Sequence, residues 1–199
     1  MIRKPQLRSE VVSYDSDLLI LVDSEDNEVG ELDKAACHDG EGLLHRAFSL
    51  FVFNPQGQLL MQRRAKSKRL WGDYWSNSCC SHPRIGETMS QAVTRRCEQE
   101  LGFAVDSLFV YKFEYAAQFG DCGSERELCS VFVAEYAGEP IINTEEASEY
   151  KWISPDELEA QFVDAPHLYT PWFYMEWRQL GPQLDKLLTA LKHNDTRAE

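Results

Sequence analysis

The chain has 199 residues, of which 43% are hydrophobic and 27% charged, values ordinary for one globular domain with its own core. Its formal net charge of −13 argues against a general binder of nucleic acids or anionic membranes, since both partners are densely negative. Its beginning is polar and basic, and no apolar run is long enough to cross a bilayer. Six cysteines without a CxxC pair favour reduced thiols, so we expect a cytoplasmic protein without membrane or nucleic-acid partners.

Strands and helices are predicted from the period of the apolar residues and from turn and cap signals. The strands are predicted at residues 18–23, 47–53, 59–63, 109–115, 129–136 and 150–153. Helices are expected to begin at Thr88, Ser154 and Thr170, because the first opens a capping box and the others precede a proline. Gly102 is predicted to end the first helix, and Gly181-Pro182 to break the last.

Helices that follow strands of a mixed sheet are typical of an α/β sandwich, in class α/β or α+β. We expect a single domain over residues 17–193, between a flexible tail at 1–16 and a second tail at 194–199. Residues 36–44 are expected to be a polar loop. Because no coiled-coil repeat or apolar surface stripe is visible, a monomer is expected.

Three of the five histidines, His38, His45 and His82, stand far along the chain from a Glu-x-Glu pair, Glu125 and Glu127. If the pair lies in a strand, both carboxylates point to the same face. Three imidazoles and two carboxylates suit a divalent transition metal such as Mn²⁺ or Zn²⁺. Surface or core histidines and a solvated strand face are the alternatives, and spacing along the sequence does not decide between them.

A basic cluster and a cysteine could also carry chemistry. The cluster is either a solvated loop or an anion site, and it comprises Arg63, Arg64, Lys66, Lys68 and Arg69. Cys80 is either a small buried residue or a reactive thiol. A thiol pKa of roughly 8.5 needs only modest tuning to serve as an acid or base near neutral pH.

Residues 81–103 come close to the box of the Nudix hydrolases, which runs Gly, five residues, Glu, seven residues, then Arg-Glu-aliphatic-x-Glu-Glu-x-Gly-aliphatic. Ser81 stands for the opening glycine, Arg96 for the Glu after the arginine, and Gln99 for the first of the paired Glu. Two carboxylates that the hydrolases use to hold metals and activate water are therefore replaced. The pattern indicates a diphosphate-binding scaffold with altered hydrolytic residues.

Over roughly residues 18–177 the chain resembles the type I isopentenyl diphosphate isomerases, a family built on the Nudix fold. The segments that carry the resemblance are His38, Leu44–Ser49, Arg63–Lys68, Trp75–Pro83, Glu125–Glu127 and Thr170–Trp172. The resemblance implies a Nudix-type α/β/α sandwich with a mixed sheet. It also implies interconversion of isopentenyl and dimethylallyl diphosphate, in isoprenoid biosynthesis, by metal-assisted proton transfer without a flavin.

The resemblance further implies roles for individual residues. A catalytic divalent metal, left open among Mn²⁺, Zn²⁺ and Mg²⁺, would be held by His38, His45, His82, Glu125 and Glu127. A Mg²⁺ that bridges to the diphosphate would be held by Glu100 and the backbone carbonyl of Cys80. Cys80 and Glu127 would form the proton-transfer pair, with Tyr115 assisting Glu127. The substrate would be bound by Lys34, Arg64, Lys68, Ser81, Arg96 and, beside its five-carbon tail, Trp172.

Two other functions are weighed against this one. A Nudix pyrophosphohydrolase would need the carboxylates that Arg96 and Gln99 replace. A non-catalytic diphosphate- or metal-binding protein would not need every catalytic position filled, as it is here. Which of Cys80 and Glu127 acts as acid and which as base stays open at the level of sequence.

Overall fold

Nine strands form one mixed sheet in residues 7–195, the part of the chain that the structure, a computed structural model, describes. The strands are β1 Leu18–Val22, β2 Glu28–Asp33, β3 His45–Phe53, β4 Leu59–Arg64, β5 Trp75–Ser76, β6 Cys79–Ser81, β7 Leu108–Gln118, β8 Ser124–Glu135 and β9 Ala147–Ile153. The α-helices are α1 Lys34–Cys37, α2 Met89–Leu101, α3 Pro155–Asp164, α4 Pro171–Leu180 and α5 Leu184–Asp195.

Strand β3 lies at the centre of the sheet. It runs parallel to β8 over its whole length and antiparallel to β1, β4 and β6. Strands β7 and β9 extend the sheet by antiparallel pairing with β8 and β4. The parallel β3–β8 pair makes the sheet mixed, as predicted.

The side chains of β3 alternate between two apolar layers, because neighbouring residues of a strand face opposite sides of the sheet. Phe48, Leu50 and Val52 pack with α2, whereas Phe51 and Phe53 pack with α3, α4 and α5. Helices thus cover both faces of the sheet, and the expected α/β/α sandwich is confirmed.

The caps of α2 match the sequence signals. The Thr88 side chain accepts a hydrogen bond from the Gln91 backbone N–H, and Gln91 completes the predicted capping box. Gly102 ends the helix at φ 83°, and a Cβ there would lie 2.9 Å from the Cβ of Ile141. Gly102 is therefore required both by its left-handed backbone and by the close approach of the next segment.

Some elements differ from the sequence-based expectation. The polar loop expected at 36–44 begins inside the one-turn helix α1, which Asp33 caps by accepting from the Ala36 N–H. Strand β2 gave no signal because it is an edge strand whose side chains are mostly exposed, so its sequence does not alternate between apolar and polar residues. Gly181-Pro182 does break the last helix, into α4 and α5.

The N-terminal segment from residue 7 contacts the domain instead of running free. The Arg8 N–H donates to the Ile142 carbonyl at 3.1 Å, and the Thr144 N–H donates to the Arg8 carbonyl at 2.8 Å. These contacts involve part of the segment 1–16 that is expected to be a flexible tail, and the flexibility of that segment stays a prediction; residues 1–6 and 196–199 of the two expected tails lie outside the described part. Among residues 7–195, no helix combines the length and the apolar character needed to traverse a lipid bilayer.

Candidate active site

Four separate segments bring side-chain nitrogen and oxygen atoms together beside the start of β3. His38 follows α1, His45 opens β3, His82 follows β6, and Glu127 lies in β8 directly opposite His45. One side-chain nitrogen or oxygen of each of these four residues lies within 4.8 Å of the others. The spatial convergence that spacing could not establish is therefore present in the fold.

Backbone carbonyls orient two of these imidazoles for metal binding. His38 Nδ1 lies 2.6 Å from the Lys34 carbonyl, and His45 Nδ1 lies 2.7 Å from the Leu43 carbonyl. Because a carbonyl only accepts, each Nδ1 carries the hydrogen and each Nε2 presents a lone pair to the cluster. This arrangement, with the second nitrogen fixed by a carbonyl, is common in metal-ligating histidines.

The side-chain atoms that face one another in the cluster carry lone pairs, and there are too few hydrogens for a hydrogen bond between each pair of atoms. His45 Nε2 lies 3.2 Å from His82 Nε2, which in turn lies 3.2 Å from Glu127 Oε1. Glu125 Oε2 lies 2.8 Å from His38 Nε2, yet this buried oxygen has no hydrogen bond of acceptable geometry. A donor set of buried, electron-rich nitrogens and oxygens fits a divalent cation, with Glu125 beside the cluster through His38.

Burial and the neighbouring imidazoles shift the pKa values of ionisable groups in the cluster. Burial lowers the pKa of His82 to about 4, although its hydrogen bond to Glu127 opposes the shift. Burial alone would raise the pKa of Glu127, but hydrogen bonds with His45 and His82 hold it well below the usual range of a glutamate. Burial lowers the pKa of His38, but the neighbouring Glu125 carboxylate outweighs this effect and raises that pKa above its ordinary value. Burial thus favours the neutral form of His82, and the imidazoles favour the carboxylate form of Glu127, which are the forms that ligate metals.

The proposed proton-transfer residues lie on neighbouring parts of the same sheet. Cys80 pairs with Ser49 across β6 and β3, and its Sγ lies 3.2 Å from Ser49 Oγ and 2.9 Å from Asn77 Oδ1. Glu127 pairs with Tyr115 across β8 and β7, and the Tyr115 hydroxyl donates to Glu127 Oε2 at 2.7 Å. The side chains of Cys80 and Glu127 are thus both held by side-chain partners before any substrate binds.

Trp172, at the start of α4, is fixed by a hydrogen bond and by aromatic packing. Its Nε1 donates to Ser76 Oγ at 3.2 Å, and Trp71 packs edge-on at a ring separation of 5.2 Å. The Arg64 guanidinium lies 5.3 Å from the centre of the Trp172 ring. The indole is therefore a rigid apolar surface close to a cationic group.

Cationic and carboxylate side chains form a second cluster, separate from the histidines. Arg96 Nη2 lies 2.6 Å from Glu100 Oε1 and 3.3 Å from Glu146 Oε2, and Lys68 also pairs with Glu146. Arg96 and Lys68 lower the pKa of Glu146 against the effect of its burial. Burial and the nearby Lys68 charge lower the pKa of Lys34. Gln62 Nε2 donates to Glu100 Oε2 at 3.3 Å.

One cavity collects almost all of the residues named from the sequence. Its lining includes Lys34, His38, Arg64, Lys68, Cys80, Ser81, His82, Arg96, Glu100, Tyr115, Glu125, Glu127 and Trp172. His45 is absent from this lining, because it is wholly buried behind the other imidazoles. Ser81 lies in β6 next to Cys80. The structure thus places these side chains together, while the role of each residue stays a prediction.

Three residues that support the site were not predicted from the sequence. Glu146 shares the buried cations, Asn77 holds the Cys80 thiol, and Glu176 lies wholly buried on α4. Asn77 belongs to the Trp75–Pro83 segment and could have been found there. Glu176 stands between Phe173, Trp177 and Leu180 on the apolar face of a helix, so its helical position was a signal as well.

Comparisons with known proteins agree with this arrangement. Residues 43–173 match the NUDIX domain family. Isopentenyl-diphosphate Delta-isomerase 1 of Photorhabdus laumondii is 42% identical over 172 residues, which cover 85% of this chain and 98% of that protein. Isopentenyl-diphosphate Delta-isomerase 2 of Aromatoleum aromaticum is 40% identical over 182 residues, which cover 92% of each.

Solved structures share the fold. DR0079 from Deinococcus radiodurans superposes with a TM-score of 0.62 at 25% identity, over 75% of this chain and 90% of that one. The MutT protein from Methanosarcina mazei superposes with a TM-score of 0.56 at 16% identity, over 72% of this chain and 94% of that one. At these identities the likeness concerns the fold alone.

Proposed function

Since this chain belongs to the isopentenyl-diphosphate Delta-isomerases of the NUDIX domain family, we propose that it interconverts isopentenyl and dimethylallyl diphosphate. The observation that carries the proposal is the shared cavity. Two groups able to exchange protons, Cys80 and Glu127, line it together with the Trp172 indole and with basic side chains. These groups match an alkene linked to a diphosphate: the proton-transfer groups and the indole suit the alkene, and the basic side chains suit the diphosphate.

The reaction moves a double bond in an alkene without a carbonyl, so no carbanion can be stabilised. A proton adds to the terminal alkene carbon, and the π electrons form the new C–H bond, which leaves a tertiary cation. Loss of a proton from a neighbouring carbon returns its electron pair to form the new double bond. The route requires one proton donor, one proton acceptor and protection of the cation from water.

Cys80 and Glu127 are the proton-transfer pair in this proposal. One donates the proton that the alkene gains and the other accepts the proton that it loses, and the two exchange roles in the reverse direction. The Tyr115 hydroxyl, which donates to Glu127 at 2.7 Å, orients that carboxyl and favours its ionised form. Trp172 offers a π face to the cation, a contact worth ~2 kcal/mol or more when it is desolvated.

The residues present fit two divalent metals. His38, His45, His82, Glu125 and Glu127 would hold Mn²⁺ or Zn²⁺, and Glu100 with the Cys80 carbonyl would hold the Mg²⁺ that accompanies the diphosphate. When bound, these ions supply positive charge to the carboxylates and to the substrate oxygens. Glu127 could then serve both as a ligand and as a proton-transfer group.

The basic side chains would bind the diphosphate end. Arg96 is nearly fully buried and held by two carboxylates, so its forked guanidinium is fixed before an anion arrives. Arg64 has a buried Nε without a hydrogen-bond partner in the described residues, which leaves a donor available. Lys34 and Lys68 add point charges, Ser81 a hydroxyl, and this remote binding would position the reacting tail.

The test is incubation with isopentenyl diphosphate, Mg²⁺ and Mn²⁺ or Zn²⁺ in D₂O, followed by proton NMR. We expect dimethylallyl diphosphate that carries deuterium, without release of phosphate. Unchanged substrate under every metal condition would overturn the proposal. Released phosphate would favour the pyrophosphohydrolase instead, which the Arg96 and Gln99 replacements argue against.

We further propose that the enzyme is monomeric and cytoplasmic, that its only partner in the reaction is the small diphosphate, and that it needs no flavin. Its elution volume in gel filtration tests whether it is a monomer, and the activity of flavin-free protein tests whether it needs flavin.

A further inference from the structure

Glu146 is a carboxylate that the proposed reaction does not use, although it lines the cavity beside the basic side chains. It is buried and lies directly before β9. Its backbone is fixed on both sides, because its N–H donates to the Asn143 carbonyl and its own carbonyl accepts from the Ala65 N–H, each at 2.9 Å. The carboxylate therefore projects into the cavity from a fixed point, and rotation of its side chain is the way to move it.

One carboxylate oxygen faces two of the proposed diphosphate-binding cations. Glu146 Oε2 pairs with Lys68 Nζ and lies 3.3 Å from Arg96 Nη2. Arg96 is buried and Lys68 half-buried, so solvent screens these pairs less than it would screen pairs on the surface. Two adjacent cations also favour the ionised form of the carboxyl.

Arg96 has few N–H groups left for an anion. A guanidinium carries five N–H groups. Nε and Nη2 donate to Glu100 Oε1 at 3.1 and 2.6 Å. Nη1 donates to the Val12 carbonyl at 2.9 Å and to Gln99 Oε1 at 3.3 Å. The fifth N–H belongs to Nη2, the nitrogen beside Glu146 Oε2, so an anion that leaves the other four bonds intact has to approach where this carboxylate lies.

We propose that Glu146 is an internal counter-ion of the diphosphate site, and that a diphosphate oxygen takes its place between Lys68 and Arg96. This inference rests on the proposed function, in which these two cations bind the diphosphate. Glu146 lowers the affinity for the diphosphate in two ways. Its pairs with the cations have to be given up, and its negative charge repels the incoming anion.

The counter-ion acts differently in the empty and in the occupied site. In the empty site it offsets the charges of Lys68 and Arg96, which would be costly if they stayed buried without a partner. In the occupied site the diphosphate supplies that negative charge. Glu146 therefore stabilises the empty fold and weakens the binding of the diphosphate end, which allows the product to leave.

The test measures the binding of inorganic pyrophosphate by calorimetry, with protein loaded with Mn²⁺ or Zn²⁺ and a fixed excess of Mg²⁺. Glu146→Gln keeps the shape of the side chain and removes its charge. We expect this variant to bind pyrophosphate about tenfold more tightly than the parent, or by about 1.4 kcal/mol. Equal or weaker binding would overturn the proposal, because Glu146 would then serve to hold the cations for the anion. Absence of binding in both proteins would overturn it as well.

Glu149→Gln is the matched control, because it removes the same charge from an exposed position three residues further along the chain. Glu149 Oε2 lies 3.4 Å from Arg63 Nη1, and the residue does not line the cavity. We expect its affinity for pyrophosphate to stay within about twofold of the parent, because solvent and salt screen an exposed charge. A similar gain in both variants would mean that the total charge of the protein sets the affinity, which would overturn the proposal.

Urea unfolding measures the same coupling through stability. Without pyrophosphate, we expect Glu146→Gln to unfold more easily than the parent, because two cations lose their partner. With pyrophosphate far above both Kd values, the difference in unfolding free energy should shift toward the variant by about 1.4 kcal/mol, the equivalent of the tenfold affinity ratio. A difference that pyrophosphate leaves unchanged would contradict the proposal.

Glu146→Asp decides if Glu146→Gln does not fold, as judged by circular dichroism. The shorter side chain keeps the charge but draws the carboxylate back from the two cations. We expect it to bind pyrophosphate about threefold more tightly than the parent, or by about 0.7 kcal/mol. Affinity equal to or below that of the parent would reject the counter-ion.

Isomerase kinetics separate this inference from the proposed function. In Glu146→Gln we expect KM for isopentenyl diphosphate to fall about tenfold while kcat does not rise, because the tighter grip on the diphosphate is the same in the ground and transition states. A KM that stays the same or rises would overturn the counter-ion even in an active enzyme. A parent without isomerase activity would reject the proposed function, whereas tighter pyrophosphate binding by the variant would still support the counter-ion.

Discussion

Two adjacent cysteines have opposite surroundings because neighbouring residues of a strand face opposite sides of a sheet. Cys79 is wholly buried in the layer that α2 covers, while Cys80 lines the cavity. We expect Cys80→Ala to lower kcat by about 10²–10⁴-fold, the usual contribution of a general acid or base. Steady-state rates of isomerisation, with thermal unfolding measured on the same samples, test this expectation.

Cys79→Ala is the matched control for that substitution. It removes a buried sulfur from the α2 layer, so we expect a loss of unfolding free energy on the order of 1 kcal/mol. The rate at saturating substrate should stay close to that of the parent. A similar loss of kcat in both variants would mean that the thiol of Cys80 has no special role.

The stability of the fold should depend on pH through Glu176. Its pKa is raised by burial from an ordinary 4.5 to about 8 in the folded chain. Between these values the unfolded chain is ionised and the folded chain protonated, so the stabilising contribution is complete below pH 4.5 and is lost as pH rises through about 8. The unfolding free energy of Glu176→Gln should therefore rise relative to that of the parent over this pH window, by a few kcal/mol in all.

Urea unfolding of both proteins at a series of pH values measures this difference. The gap in unfolding free energy should be smallest at acid pH and widest near pH 8. A gap that does not change with pH would indicate that Glu176 is charged in the folded chain or carries a smaller shift. Working without added metal keeps the histidine cluster from binding ions differently as pH changes.

The residues that sequence could identify are those with a local pattern. The histidines, the Glu-x-Glu pair and Cys80 stand in recognisable segments. The fold brings them together at one cavity, although His45 is buried behind its lining. Glu146 carries no such pattern, because its importance comes from Arg96, a neighbour distant in sequence. Glu176 has its place on the apolar face of α4 as a signal of burial, but its neighbour Cys129 is likewise distant in sequence. Only tertiary packing shows what each of the two carboxyls contacts.

At the scale of elements, the turn between β7 and β8 packs against His38, the proposed metal ligand that follows α1. Gly123 adopts φ 138°, and a Cβ there would lie 2.3 Å from the His38 carbonyl oxygen. The next residue, Ser124, donates its N–H to the same carbonyl at 2.9 Å. We expect Gly123→Ala to displace His38 and to weaken metal binding by about 10–100-fold, as when partners of metal ligands are altered.

Gly120 provides a control within the same turn. It also has a positive φ, of 53°, but a Cβ there would meet no atom within 4 Å. Gly120→Ala should therefore cost about 1–2 kcal/mol of backbone strain without changing metal affinity. Titration with Mn²⁺ or Zn²⁺ by calorimetry compares the two variants, and equal affinities would mean that the turn does not position His38.

Helices and strands were predictable where the spacing of apolar residues or a helix cap marked them in the sequence. Helix α2 begins at its capping box and ends at Gly102 as expected, and the buried strand β3 stands out by its apolar run. The one-turn helix α1 and the two-residue strand β5 were not expected, because so short an element has no period to detect. His38, which follows α1, nevertheless lies at the cavity, and Asn77, which follows β5, contacts the Cys80 thiol.

At the scale of the molecule, the sheet joins distant segments into one charged site. The overall charge is −13, yet Lys34, Lys68 and Arg96 stand together at the cavity. Their attraction for a diphosphate is local, because salt screens exposed charges beyond about 8 Å at physiological ionic strength. The net charge therefore argues against nucleic acids as partners, which stays an expectation, without arguing against a small anion.

A metal at the histidine cluster should stabilise the whole fold, because its ligands lie directly after α1, in β3, directly after β6 and in β8, and converge only when the sheet is formed. An ion that binds the folded chain but not the unfolded one adds about 2.7 kcal/mol at a free concentration of 100 Kd. For a chain of this size, each kcal/mol raises Tm by about 2–4 °C. We expect Mn²⁺ or Zn²⁺ to raise Tm by several degrees.

Two histidine variants decide whether that rise comes from the cluster. His82→Ala removes a ligand atom that lies 3.2 Å from both His45 and Glu127, so the rise in Tm should largely disappear. His167→Ala removes an exposed histidine outside the cluster, and the rise should persist. Differential scanning calorimetry of both, with and without a chelator, gives the comparison. Equal shifts in the two variants would place the bound ion elsewhere, whereas loss in His82→Ala alone would tie the stability of the sheet to the four segments that the ion connects.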